Sequence, residues 1–156
     1  MKILMVCLGN ICRSPVAEGI LRKKIQENNL EDILSVDSCG TSGYHDGELP
    51  DERSRENALK NGLDISYQRS RKLTLSDFER FDKIYCMDQS NYNDIKKACP
   101  NSNLLSKVDL LLNLSFPGEN RKVPDPYFGG GNGFQEVYEL VDHACEIFIN
   151  AYKKGN

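Results

Sequence analysis

The feature that most constrains this chain is a short apolar run that stops at a cysteine. Ile3-Leu4-Met5-Val6-Cys7 shows no polar alternation, which reads as a strand buried on both faces. Val16, Ile20, Leu21 and Ile25 then recur at helical spacing, with Arg22, Lys23, Gln26 and Glu27 between them. The alternation continues along the chain. Residues 33–38 read as a second strand, and 51–60 as a helix with an acidic start and an Asn61-Gly62 stop. Residues 83–87 read as a third strand, 90–98 as a helix ending before Pro100, and 103–105 as a fourth strand. Phe134, Val137, Tyr138, Val141, Cys145 and Phe148 form the apolar stripe of a long final helix. Strands alternating with helices predict an α/β fold, a central four-stranded parallel sheet with helices on both faces. Ligands in such folds bind beyond the C-terminal ends of the strands, which is where Cys7 falls. Residues 110–132 fit no regular element, and an irregular stretch of that length in a compact domain is usually functional.

Length and charge narrow the function classes. The 156 residues suit one domain spanning 1–156. With 20 basic and 23 acidic residues, net charge −3, a broad basic face for nucleic acid is not expected. The apolar run over residues 3–8 is far short of the roughly 20 needed to span a bilayer. Only Lys2 precedes it and no small-residue cleavage site follows, so no secretory signal is expected. The 6 cysteines therefore read as reduced thiols of a cytoplasmic protein rather than as three disulfides. There is no Cys-x-x-Cys, and His45 and His143 lie far apart, so neither metal nor cofactor is expected.

The chemistry sits after the first strand. Cys7 is followed by Leu8-Gly9-Asn10-Ile11-Cys12 and then Arg13-Ser14-Pro15, where the first helix begins. Gly9 and Asn10 tolerate positive φ, so the loop is expected to curl and aim its N–H groups inward. Pro15 suits a first helical turn, where a missing N–H costs nothing. Backbone donors capped by a helix N-terminus make an anion site formed by Leu8, Gly9, Asn10, Ile11, Cys12, Arg13 and Ser14. Donors and helix dipole favour a Cys7 thiolate, and the Arg13 fork matches two phosphate oxygens. A thiolate beneath a cradled phosphoryl group can attack phosphorus and form a phosphocysteine. Ester cleavage also needs a proton for the leaving oxygen. Asp125, in the long irregular stretch beside Pro126, is the candidate general acid and later base.

The segment Val6-Cys7-Leu8-Gly9-Asn10-Ile11-Cys12-Arg13-Ser14-Pro15 resembles the signature of the low-molecular-weight protein tyrosine phosphatases. Asp125-Pro126-Tyr127 resembles that family's general-acid loop. Asp37-Ser38-x-Gly-Thr-Ser-Gly-Tyr44 and Cys86-Met87-Asp88-x-Ser-Asn91 resemble further family segments in the expected order. The resemblance covers nearly the whole chain. It implies a protein-tyrosine-phosphatase and acid phosphatase that acts on phosphotyrosine-containing proteins and aryl phosphates, with inorganic phosphate as product and competitive inhibitor. It assigns Ser14 a hydrogen bond to the thiolate and Asn10 one to Ser38. Leu8, Tyr44 and Tyr127 would wall the substrate cleft. Asp37 and Asp88 are then expected to be structural. Phe128 stands where many members carry a second tyrosine. Many relatives also carry a histidine in the segment Asp64-Ile65-Ser66-Tyr67-Gln68-Arg69 that orders the loop asparagine; here Gln68 is the candidate support.

Three rivals remain distinguishable. An arsenate reductase needs two further cysteines a few positions apart, whereas Cys86 and Cys99 are widely spaced. By the same resemblance, arginine phosphatases carry threonine after the loop asparagine, where this chain has Ile11. A silent phosphoprotein-binding module has no use for Cys7, Arg13 and Asp125 together. Cys12 adds a redox expectation: oxidised Cys7 would be rescued by a Cys7–Cys12 disulfide if the curled loop brings the two together.

Overall fold

The computed structural model describes residues 1–129 and 132–155. Strand β1 (Lys2–Cys7) lies at the centre of a parallel sheet, flanked by β2 (Ser35–Gly40) on one side and β3 (Lys83–Cys86) on the other. A short β4 (Val108–Leu110) pairs with β3, giving the order β2-β1-β3-β4. The helices are α1 (Arg13–Glu27), α2 (Glu52–Lys60), α3 (Asp77–Arg80), α4 (Gln89–Ala98) and α5 (Gly133–Gly155). The predicted α/β architecture is the observed one.

Alternate side chains of β1 enter different cores, as the pleat demands. Ile3, Met5 and Cys7 pack with Val16, Ile20 and Leu21 of α1 and with Val137, Val141 and Phe148 of α5. Leu4 and Val6 pack on the other face with Phe78, Phe81, Ile84 and Ile95. Each such aliphatic side chain contributes about 1.5–3 kcal/mol through burial. This two-sided clamp holds the end of β1 rigidly, and the chain reverses its winding there. After β1 it crosses to one neighbour, β2, and later returns to the other, β3. The cleft at that reversal, beyond the strand ends, is the topological switch point.

Several boundaries differ from the expected ones. The second strand begins at Ser35, not 33, because the Ile33 and Leu34 N–H groups are spent on the Leu30 carbonyl; the ladder starts when Ser35 N–H reaches the Met1 carbonyl. The fourth strand is not at 103–105. Residues Ser102–Lys107 form a 3₁₀ turn, opened by Asn101 Oδ1 accepting from the Asn103 N–H, and pairing starts only at Val108. The short helix α3 carries no long apolar period and was not expected. A 3₁₀ turn at Leu111–Asn113 also lies inside the stretch read as irregular. Among the described residues, no helix is long and apolar enough to cross a membrane.

Candidate active site

The loop between β1 and α1 is shaped by one residue in the left-handed region. Asn10 has φ 56°, whereas Gly9 has no positive φ. The sequence expectation for Gly9 is therefore corrected. Space is tight there instead, since a Cβ would sit 3.1 Å from His45 Cδ2 and the imidazole would have to give by a few tenths of an ångström. Gly40, at the end of β2, is tighter still: a Cβ would lie 2.7 Å from the Leu8 carbonyl oxygen. The loop is thus pressed against the neighbouring strand by a missing side chain.

The Asn10 side chain organises what surrounds it. Its Oδ1 accepts from the Arg71 N–H at 3.0 Å, which sets the amide orientation. Its Nδ2 donates to Ser14 Oγ at 2.8 Å and to Ser38 Oγ at 3.0 Å. Ser38 in turn donates to Glu18 Oε1 at 2.9 Å. Ser14 Oγ is also 3.0 Å from Cys7 Sγ, a contact in which either atom can donate, and its proton can instead reach the Cys39 carbonyl at 3.4 Å. An ionised sulfur is the stronger acceptor. With a thiolate at Cys7 the network would have a direction, the Ser14 hydroxyl donating to the sulfur. Ser14 lies within the first turn of α1, whose N-cap is Cys12.

Ser38 and Gln68, the expected loop supports, are joined by Glu18. Gln68 Nε2 donates to the Pro15 carbonyl at 2.8 Å and so braces the start of α1. Its contact with Ser38 is long, 3.5 Å, and Glu18 holds Ser38 instead. Burial pushes the Glu18 carboxyl above its usual value, against the pull of the Ser38 and Arg22 hydrogen bonds. Tyr67 Oη also donates to Glu18, at 3.2 Å. Sequence reasoning missed Glu18, although it lies one turn after Ser14 among the buried positions of α1, an unusual place for a carboxylate. It also missed Ser70 and Arg71. Ser70 Oγ donates to the Gly9 carbonyl at 3.1 Å.

Arg13 is almost fully buried and held from two directions. Its Nη1 donates to Asp88 Oδ2 at 2.7 Å and to the Val123 carbonyl at 3.0 Å, leaving Nη2 3.7 Å from Asp125 Oδ2. Burial alone would weaken the cation, but the sulfur of Cys7 and the carboxylate of Asp88 raise its pKa. Asp88 uses both of its carboxylate oxygens. One oxygen caps α4 through the Asn91 N–H at 2.8 Å, and the other orients Arg13. Asp37 pairs with Arg71 at 3.0 Å, the residue whose N–H holds Asn10.

These parts meet in a cleft of about 230 Å³ lined by the loop residues Leu8, Gly9, Ile11, Cys12 and Arg13, with Asp125 and a rim of side chains. Tyr44 and Phe128 are 84% and 89% exposed, so that rim is apolar and open to solvent. Tyr127 and His45 complete it; His45, considered from sequence only as a metal ligand, is a wall residue held by Glu48 at 2.9 Å. Cys7, Asn10 and Ser14 are not among the residues that line the cleft; Cys7 is buried at the end of β1, and Asn10 and Ser14 lie behind the loop. Asp125 Oδ1 accepts from the Tyr127 N–H at 3.0 Å, a turn that presents the other oxygen towards Arg13. Among the described residues no group of three His, Cys, Asp or Glu side chains could hold a metal ion. A curled loop at a helix start, a sulfur buried behind it, a buried guanidinium and a carboxyl group beneath an aromatic rim are the parts that transfer of a phosphoryl group from an aryl ester requires.

Comparison with known proteins agrees. The profile of the family described as low molecular weight phosphotyrosine protein phosphatase matches residues 2–156. The low molecular weight phosphotyrosine protein phosphatase of Schizosaccharomyces pombe is 43% identical over 90% of this chain and 90% of its own length. That of Homo sapiens is 38% identical over 95% and 93%. A crystal structure of a protein tyrosine phosphatase from Entamoeba histolytica superposes with a TM-score of 0.92 at 39% identity, covering 99% of this chain and 98% of that one.

Proposed function

Because this chain belongs to the low molecular weight phosphotyrosine protein phosphatase family, whose members are phosphoric monoester hydrolases, we propose that it cleaves phosphotyrosine through a phosphocysteine on Cys7. The single observation that carries this reading is the meeting of residues distant in sequence. Arg13 Nη2 lies 3.7 Å from Asp125 Oδ2, in a cleft that Cys12, Arg13 and Asp125 share.

The phosphoryl group sits in the nest of loop N–H groups, with the free edge of Arg13 on its oxygens. The Cys7 thiolate attacks phosphorus and the P–O bond to tyrosine breaks. Asp125, protonated, gives its proton to the departing phenolate. The phosphoryl group is now on sulfur and Asp125 is a carboxylate. Water attacks phosphorus, Asp125 takes its proton, and the Cys7–P bond breaks to return thiolate and release inorganic phosphate. The Ser14 hydroxyl, 3.0 Å from Cys7 Sγ, stabilises the thiolate before attack and as it leaves. Phosphate returns to the same nest as a competitive inhibitor. Tyr44, Tyr127 and Leu8 flank the phenyl ring.

Against arsenate reduction, Cys86 is buried in β3 with its thiol pushed up to about 12, chiefly by burial, and Cys99 follows α4. Redox protection belongs to the same reading. Peroxide oxidises the Cys7 thiolate to a sulfenic acid, and Cys12 sulfur attacks it, expelling water and leaving a disulfide.

The test is acid quenching with phosphorus-labelled phosphotyrosine. Label should appear on protein with wild type and vanish with Cys7→Ser, whose turnover should fall below about one-thousandth while phosphate still binds. Substantial turnover by Cys7→Ser rules out the phosphocysteine. Asp125→Asn should slow phosphotyrosine cleavage by about a hundredfold or more, but nitrophenyl phosphate far less, because nitrophenolate leaves without a proton.

A further inference from the structure

Asp125 belongs to a segment with few attachments of its own. Pro124 and Pro126 on either side have no N–H, and the sequence after Phe128 is Gly129-Gly130-Gly131-Asn132-Gly133, four of whose five residues lack a side chain. Among the described residues 124–129, one hydrogen bond reaches outside the segment. Arg53 Nη1, from the first turn of α2, donates to the Tyr127 carbonyl at 3.2 Å.

Arg53 is itself held in place. Its Nε and Nη2 bind the two oxygens of Asp51 at 3.0 Å each, a bidentate pair. Its guanidinium carbon lies 5.3 Å from the Tyr127 ring centre and 4.9 Å from that of Phe134 at the start of α5. Asp51 caps α2 through the Arg53 N–H at 2.9 Å, and its own N–H donates to the Ile11 carbonyl of the anion loop at 2.8 Å. A continuous path therefore runs from the anion loop through Asp51 and Arg53 to Tyr127. The Tyr127 N–H, in turn, holds the Asp125 carboxyl at 3.0 Å.

We propose that Arg53 is a positioning residue for proton donation: it braces the segment carrying Asp125 against the loop that cradles the phosphate. This rests on the general-acid reading of Asp125. The Asp125 segment, with Tyr127, hangs on this brace through Arg53 itself. The anion loop meets this path only at the Asp51 N–H, a backbone contact that Arg53→Ala leaves in place, and Arg13 and Asn10 are held by other residues, so loss of Arg53 should resemble a weakened Asp125 and leave phosphate binding intact.

The experiment measures single-turnover cleavage of phosphotyrosine and 4-nitrophenyl phosphate by wild type, Arg53→Ala, Asp125→Asn and the double variant. Phosphate inhibition and thermal unfolding are measured on each. Arg53→Ala should slow phosphotyrosine cleavage about tenfold and nitrophenyl phosphate less than about twofold, the loss expected when a reacting group is misplaced by a fraction of an ångström. In the Asp125→Asn background it should cost almost nothing more, since the group it positions is gone. Arg53→Lys should not rescue, because a compact ammonium cannot reproduce the planar fork whose Nε, Nη1 and Nη2 reach Asp51 and the Tyr127 carbonyl on different edges. Equal losses on both substrates, or losses that multiply in the double variant, overturn the proposal. If Asp125→Asn itself fails to discriminate by leaving group, the acid assignment falls and Arg53's role with it. If Asp125→Asn discriminates and Arg53→Ala does not, Arg53's role alone falls.

Discussion

Replacing Asn10 with alanine removes the residue on which the phosphate loop is hung. The native side chain makes three hydrogen bonds, to Ser14, Ser38 and the Arg71 N–H, from a position 2% exposed. Each is worth about 0.5–1.5 kcal/mol net, and the Arg71 N–H is left without its acceptor, at about 1 kcal/mol or more. Alanine must also hold φ 56°, which costs an L-residue lacking the local polar compensation of asparagine about 1 kcal/mol. Together these predict a loss of about 3.5–6.5 kcal/mol, a large part of the roughly 5–15 kcal/mol available to a domain. Urea unfolding followed by circular dichroism measures it, with the slope checked for constancy. Asn10→Asp separates the contributions. Aspartate tolerates the same φ and can still accept from Arg71, but it cannot donate to Ser14. The Ser14 proton is then drawn towards residue 10 and away from Cys7, so turnover should fall more than stability does. A loss under about 1 kcal/mol for Asn10→Ala, or near-normal turnover for Asn10→Asp, would refute the argument that this amide gives the network its direction.

Acid should weaken the fold through Asp77. Burial opposes its ionisation, but paired hydrogen bonds from Arg71 and one from the Thr74 N–H outweigh that and hold its carboxyl below the usual value. A depressed acid contributes stability above its unfolded value of about 3.9 and loses it as pH falls through the folded value. The stability gap between wild type and Asp77→Asn, read by denaturant titration, should therefore narrow below about pH 4; a gap independent of pH would contradict it. For Cys12, burial together with the charges of Asp51 and Cys7 pushes the thiol up to about 12. Disulfide rescue of peroxide-treated enzyme should consequently quicken as pH rises, and wild type should recover with thiol more fully than Cys12→Ser. Equal recovery, with no Cys7–Cys12 linked peptide, leaves Cys12 as packing.

What the sequence determined by itself is mostly local. Cys7, Asn10, Arg13 and Ser14 lie within eight consecutive positions, so strand, curl and helix start bring them near one another before distant residues fix their orientation. The period of apolar residues likewise announced the alternation of strands and helices, because burial on one face or two leaves a direct trace in residue order. Tertiary structure decided whatever depends on which residue stands opposite another. Residues 103–105 were apolar enough for a strand, but register with β3 begins only at Val108, after the 3₁₀ turn. Asp88 orienting Arg13, Arg71 holding Asn10, and Gly40 making room for Leu8 all join residues far apart in sequence. Glu18 taking Ser38 from Gln68 is of the same kind. Residue order reports which face of an element a side chain occupies; the partner across the gap is chosen by the packing of the sheet and helices, and is known only once they are in place.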